Sequence, residues 1–219
     1  MTSSSAPPNC ALTTKLEWAL QHLSRGWAVL PLWWVGQDGQ CACGKRPCPH
    51  TGKHPLGKLA PHGYKSATHA AGQAMRWWQR YPEANIGGAT GAVSGRTVLD
   101  VDLRNGGGDS LKLLTLLNDQ LPDTQRHRSQ SGGPHFVFRY RAGDPPASKG
   151  FNAGLDWLSN GSMVVLPGSV GPKGEYVEEL GWGPENLPIA DPPEWLLGLV
   201  RSHQGNGILP RPSPRSGLP

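Results

Sequence analysis

The stretch Thr97-Val98-Leu99-Asp100-Val101-Asp102 constrains this chain more than any other. Its apolar and β-branched residues read as a buried strand that ends in two carboxylates one residue apart. Residues i and i+2 of a strand point to the same face, so Asp100 and Asp102 are expected side by side near the strand's end. Two anions that close repel each other, and burying them is costly without a cation. The cation suited to an all-oxygen site is Mg²⁺ or Mn²⁺. Solvated acids at a strand end would give the same pattern, so the rest of the chain has to decide.

A chain of 219 residues can form one large domain or two small modules. Its 30 glycines and 22 prolines fit a loop-rich protein of mixed α and β structure. A net charge of +5 and a pI near 9.2 lean towards a polyanionic partner. No apolar run approaches the length of a membrane span, and residues 1–9 lack a signal-peptide core. The expectation is a soluble, cytoplasmic protein with no membrane partner.

Apolar spacing predicts a first helix from Thr13 or Thr14 to about Arg25, then a buried strand at 27–33 in which Pro31 argues for an edge. A second helix is expected at 69–81, with Met75 and Trp78 on its apolar face and the Trp77-Trp78 pair in the core. After the Asp strand come the Gly106-Gly107-Gly108 turn and a helix at 109–118, capped by Asp109 or Ser110, with Leu111, Leu114 and Leu117 facing inward. Strands are expected at 124–129 and 135–141. Two more, 154–158 and 162–167, are expected to form a hairpin through Ser159-Asn160-Gly161. A short strand at 175–177 and a helix at 193–201 complete the expected fold, an α+β domain over 11–201. Residues 1–10 read as a disordered leader and 202–219 as a disordered tail rich in Pro, Gly, Ser and Arg.

Within 36–61, a turn-rich insertion, Cys41, Cys43, Cys48, His50 and His54 crowd together. Thiolate plus imidazole is the ligand set of tetrahedral Zn²⁺, and disulfides are rare in the cytosol. Cys41, Cys43, Cys48 and His54 are the expected ligands, with His50 the alternative fourth. Four protein ligands close the coordination sphere, so the zinc is expected to be structural. Lys45, Arg46, Lys53 and Lys58 decorate the loop and could meet phosphates or simply face solvent.

Two further features join the Asp pair. Ser131-Gly132-Gly133-Pro134-His135 places a hydroxyl, compliant N–H groups and an imidazole at the mouth of a strand, and Gly154-Leu155-Asp156 supplies a third carboxylate. Three carboxylates with an anion binder meet the needs of two-metal phosphoryl or nucleotidyl transfer. A two-metal nuclease would use the same acids. A glycosyltransferase D-x-D explains neither the Ser131–His135 segment nor the cysteine loop.

In this order, apolar-Asp-x-Asp, Ser-Gly-Gly-x-His and apolar-Asp, the chain resembles the archaeo-eukaryotic primase superfamily. More narrowly, it resembles the bifunctional DNA primase–polymerase (prim–pol) N-terminal domain of plasmid, phage and mobile-element replication proteins. Gly52-Lys53-His54-Pro55, Gly63-Tyr64-Lys65-Ser66-Ala67-Thr68, Pro82-Glu83-Ala84-Asn85-Ile86, Ala89-Thr90-Gly91 and Val164-Val165-Leu166-Pro167-Gly168-Ser169 extend the likeness over 18–197. The segment that is of Pro-Pro-Ser type in the family reads Pro167-Gly168-Ser169 here.

The resemblance implies a primase-like catalytic core, an N-terminal α/β module packed on a module like an RNA-recognition motif. It also implies that Asp100, Asp102 and Asp156 hold catalytic Mg²⁺ or Mn²⁺, and that His135 and Ser131 contact the nucleotide's phosphates. Lys65 and Arg128 are expected near the triphosphate. The expected activity is template-directed addition of nucleotides, and the expected partners are single-stranded DNA template, primer, NTP or dNTP, and a separate or fused replicative helicase. A catalytically inactive, zinc-containing DNA-binding replication initiator is the alternative. Trp33, Trp34 and Trp157 are candidates for base stacking, with core packing the simpler role for each.

Overall fold

The computed structural model describes residues 14–205. Cys10, the expected leader at 1–10 and residues 206–219 of the expected tail lie outside them. The described residues divide into two compact units. One runs up to Gly88 and resumes over Val165–Tyr176, and the other comprises Ala89–Val164 and the chain from Val177 onward.

The first unit opens with helix α1 (Lys15–Ser24). Thr14 caps it reciprocally: Glu17 N donates to Thr14 Oγ1 at 3.2 Å, and Thr14 N donates to Glu17 Oε2 at 2.7 Å. Strand β1 (Val29–Leu32) pairs antiparallel with β2 (Asn85–Ala89), and β8 (Met163–Val165) gives the sheet order β1–β2–β8. Pro31 therefore sits on an edge strand, where its missing N–H costs no ladder bond. Helix α2 (Ala71–Arg80) buries Ala74, Trp77 and Trp78, and Trp78 Nε1 donates to Ala84 O at 2.8 Å. Met75, expected on that apolar face, is exposed instead. A small hairpin of β9 (Val170–Gly171) and β10 (Gly174–Glu175) closes the unit.

Asn85 knits this unit together. Its side chain is fully buried and all its hydrogen-bonding groups are used. Nδ2 donates to Gly52 O at 2.9 Å and to Val170 O at 2.7 Å, while Oδ1 accepts from Val170 N at 2.9 Å and from Lys15 Nζ at 3.1 Å. Lys15 Nζ also donates to Gly168 O at 2.6 Å, and burial pushes its amine down to about 8. Ser169 Oγ accepts from Ile86 N at 2.9 Å, and His22 Nε2 donates to Pro167 O at 3.0 Å. The Pro167-Gly168-Ser169 segment is thus a clamp that ties α1 to β2.

The second unit is built on β3 (Arg96–Val101), β4 (Arg126–Arg128), β5 (Pro134–Arg139), β6 (Ser148–Asn152), β7 (Leu155–Leu158) and β11 (Val177–Glu178). They form one antiparallel sheet of order β11–β4–β5–β3–β7–β6. Helices α3 (Gly107–Leu117) and α4 (Glu194–Gly205) cover one face. Leu114 of α3 and Leu196, Leu197 and Val200 of α4 join Leu99, Val101, Phe138, Leu155 and Trp157 of the sheet in one core. At about 1.5–3 kcal/mol for each large side chain buried, that face supplies the stability that lets the opposite face, with Asp100, carry charge.

Several elements depart from expectation. Strands 154–158 and 162–167 do not form a hairpin: β7 and β8 enter different sheets. The turn itself closes, with Ser162 N donating to Ser159 O at 3.1 Å. Thr90, however, donates Oγ1 to Ser159 O at 2.7 Å and its N to Ser162 O at 3.1 Å, while β6, absent from the sequence reading, takes the edge of β7. Helix α3 starts at Gly107 with Gly106 as its cap, and Leu117 in its last turn is 72% exposed rather than facing inward. Helix α4 runs on to Gly205. No described helix is long and apolar enough to cross a membrane.

Replacing Asn85 with Ala strands several buried backbone groups and should cost about 3 kcal/mol or more in urea unfolding. His22 gives a pH signature. Burial pushes its imidazole down to about 4 in the fold against an ordinary 6.5. Between these values the unfolded chain binds the extra proton, so this contribution is full above pH 6.5 and is lost as pH falls towards 4, by about 3 kcal/mol in all. A His22→Gln variant should lack that component when stability is followed across the window.

Candidate active site

Strand β3 lies between β5 and β7, and the register sets Asp100 opposite His135 on one side and opposite Asp156 on the other. His135 stands in turn opposite His127 of β4. Directly opposed residues of an antiparallel ladder share a face, so His127, His135, Asp100 and Asp156 form one row across four strands. The row is bonded: His135 Nε2 lies 3.2 Å from Asp100 Oδ1, and His135 Nδ1 lies 2.8 Å from His127 Nε2. Both histidines are buried, while Asp100 and Asp156 are partly open.

Asp102 follows the end of β3 and caps a single 3₁₀ turn, Leu103–Asn105. Its Oδ1 accepts from Arg104 N at 3.0 Å and Nε at 3.1 Å, and its Oδ2 from Arg104 Nη2 at 3.1 Å and Asn105 Nδ2 at 2.7 Å. Asp102 N donates to Gly154 O at 2.8 Å. Gly107 and Gly154 approach so closely that a side chain on either would collide with the other's backbone. This contact sets Asp102 against the start of the strand that carries Asp156. Gly133 abuts the Val101 carbonyl in the same way, which brings the Ser131 turn beside the end of β3.

The charges interact as this crowding requires. Burial pushes the Asp156 carboxyl above the usual aspartate range and the charges of Asp100 and Asp102 add to it, against the pull of Lys149 and of Gly150 N, which donates to Oδ1 at 2.6 Å. At Asp102 burial is outweighed by the Arg104 and Asn105 hydrogen bonds and the Arg104 charge, and its carboxyl is lowered. A carboxyl held up by like-charged neighbours is one that a hard divalent cation relieves. Asp100, Asp102 and Asp156 are oxygen donors of the type hard divalent cations prefer, whereas the group of His, Cys, Asp and Glu whose ligand atoms converge among the described residues is the cysteine cluster.

Of the remaining expected residues, Ser131 lies half-buried on the turn before β5. Arg128 neighbours His127 along β4, so strand alternation sends its side chain to the other face, where Nη2 lies 3.5 Å from Glu179 Oε1. The structure does not bring it into the row. Lys65 belongs to the first unit, on the 3₁₀ turn Gly63–Ser66. Trp157 is core, whereas Trp33 and Trp34 are half-buried with stacked rings 5.6 Å apart. His127 was missed in the sequence. It and His135 are equidistant from Ser131, a symmetry that pairs them only once the five-residue loop 129–133 is known to close.

The description of the bifunctional DNA primase/polymerase N-terminal domain (Prim-Pol) matches residues 19–195. The chain belongs to the Prim-Pol family. Membership carries DNA primase/polymerase activity in general, with DNA and nucleotides as the partners such a domain binds. No curated protein matches the chain.

The cysteine loop of this Prim-Pol domain extends β1. Trp33 N donates to His54 O at 2.9 Å and Ala42 N to Trp34 O at 3.0 Å, so Cys41 and His54 are drawn to the same short run of chain. The ligand atoms of Cys41, Cys43, Cys48 and His54 all lie within 4.8 Å of one another. His54 Nε2 is 3.4 Å from Cys41 Sγ and 3.6 Å from Cys48 Sγ. The S···N edge of a zinc tetrahedron is roughly 3.6 Å, given Zn–S near 2.3 Å and Zn–N near 2.0–2.1 Å. The donor set therefore fits Zn²⁺, and His54, not the exposed His50, is the imidazole brought to it. Burial raises the Cys41 thiol. At Cys43 burial acts the same way but is outweighed by the Lys45 N–H, the neighbouring thiols and the Lys45 charge, so that thiol is lowered. Elemental analysis of the purified chain should find about one zinc per chain, lost in a Cys41→Ser/Cys43→Ser double variant and kept in His50→Ala.

Proposed function

We propose that this chain is a template-directed nucleotidyltransferase, a DNA primase and/or DNA polymerase working with two Mg²⁺ or Mn²⁺ ions. The setting proposed is the replication of a plasmid, phage or other mobile element, alongside a separate or fused helicase. The observation that carries the reading is the position of Asp100 between His135 and Asp156 in a Prim-Pol domain. The β4–β5–β3–β7 order, with α3 leading out of β3 and a β4–β5 hairpin, supports an RNA-recognition-motif-like catalytic module. In place of a second crossover helix before β7 stands β6.

In this reading Asp100, Asp102 and Asp156 hold the ions. When bound, these would neutralise the triphosphate and lower the barrier to attack by a 3′-hydroxyl. To hold an ion Asp102 would give up the Arg104 fork, a partly exposed ion pair of the kind that costs little to break. His135, Ser131 and Lys65 are the groups proposed to meet the nucleotide's phosphates. Arg128, held by Glu179 on the other face, is left out. The cysteine cluster is proposed to hold a structural zinc.

Primer extension on single-stranded template with dNTPs and Mg²⁺ or Mn²⁺ tests the reading. An Asp100→Ala/Asp102→Ala variant that keeps its fold should lose on the order of 10³-fold or more of the extension rate. Undiminished extension would remove these residues from the chemistry. Degradation of labelled single-stranded DNA with Mn²⁺ and no nucleotide would identify a nuclease instead.

A further inference from the structure

We propose that Trp33, Trp34 and Tyr81, with Arg80 beside them, form a surface of the first unit on which unpaired bases of single-stranded DNA stack. The proposal rests on the reading of the chain as a template-directed polymerase and names where that template is held. The two tryptophans follow β1 directly, and the tyrosine follows the last residue of α2, so the rings come from separate elements. They meet as one run of aromatics. The Trp33 and Trp34 rings stack with centroids 5.6 Å apart, and the Trp34 ring lies 6.2 Å from that of Tyr81 at 48°. The Arg80 guanidinium sits over the Tyr81 ring, 5.8 Å from its centre. All three rings are partly exposed and Arg80 is exposed, whereas Trp77 and Trp78 of α2 are buried.

Charge selects the ligand. Residues 33–82 hold seven lysines and arginines against a single acid, Asp38, a surplus greater than the +5 of the whole chain. Six of these seven basic residues are exposed, and Asp38 is itself paired with Arg46 at 3.4 Å. Such a run attracts a polyanion, and exposed rings add the contact that separates a single strand from a duplex. Every base has a π face, so stacking accepts any template sequence, while a duplex keeps those faces covered by its own stack. With Tyr81 under a base, Arg80 is placed to meet a neighbouring phosphate. The backbone fixes the rings in advance. Trp33 N donates to His54 O, Ala42 N donates to Trp34 O and Val35 bridges to Cys41, so the two tryptophans lie between the limbs of the cysteine loop. Rings held in this way lose little freedom when a base arrives.

The test is binding of the whole chain to a labelled single-stranded oligonucleotide, followed by fluorescence anisotropy without nucleotide, beside the same strand carrying abasic sites. The wild type should bind the abasic strand more weakly, by about 5- to 150-fold for each stacked base lost. A Trp34→Ala/Tyr81→Ala variant that keeps its fold should bind the intact strand weakly and hardly distinguish it from the abasic one. Trp34→Phe should keep most of the affinity. Arg80→Gln should reduce the slope of log affinity against log salt by about 0.7, and Trp34→Ala should leave that slope unchanged. Equal wild-type affinity for the two strands would overturn the proposal, as would a folded double variant that discriminates as the wild type does. If the double variant does not fold, ultraviolet crosslinking of a 5-iodouracil strand to the wild type decides. Adducts at Trp33, Trp34 or Tyr81 would support the surface, and adducts confined to other residues would remove it. A wild type that discriminates against the abasic strand yet extends no primer would leave the surface standing and remove the proposed function. Primer extension by a wild type that binds both strands alike would do the reverse.

Discussion

The backbone ladder of β3 with β5 and β7 is the constraint on which the site depends. A strand pairs with at most two neighbours, and only a central one has a residue facing it from both sides. Because β3 is central, Asp100 meets an imidazole on one flank and a carboxylate on the other without a loop having to carry either. The opposite face is packed by α3 and α4, so the sheet cannot slide by one residue without exposing Leu99 and Val101 and burying Asp100 against the helices. Core packing thereby holds the charged row in register.

Local pattern was enough to find the carboxylates, His135 and the cysteine loop, because each announces itself within a few residues. Asp100 and Asp102 end an apolar run, His135 follows a Gly-Gly-Pro turn, and three cysteines share eight positions. What could not be read depends on closure over longer distances. His127 looks like one polar residue between two arginines until the hairpin pairs it with His135. The segment after Ser159 looks like the return arm of a hairpin, and only buried Thr90, far back in the chain, shows why it leaves for another sheet. Strand β2, with Gly87 and Gly88 at its centre, has no alternation to betray it. Asn85 could be seen as part of a family motif, but its four hydrogen bonds reach chain as far apart as Lys15 and Val170.

The two groups of residues proposed to hold metal ions differ in how the protein manages their charge. Among the acids each has a partner of its own: Asp100 has His135, Asp102 has the Arg104 fork, and Asp156 has the Gly150 N–H. The cysteine cluster has little beyond its own thiols, the Lys45 charge and the surrounding backbone, and its loop has few apolar side chains of its own to fold around.

The loop between β4 and β5 gives the row one more property. Its five residues, 129–133, set the parity with which β4 meets β5. Because strand faces alternate, shifting β4 by one position would replace His127 in the row with Arg126 or Arg128 and put a guanidinium behind His135. The loop is therefore a measuring element as well as a turn. Its sequence has latitude wherever Gly133 is spared, while its length is fixed by the register that sets His127 opposite His135.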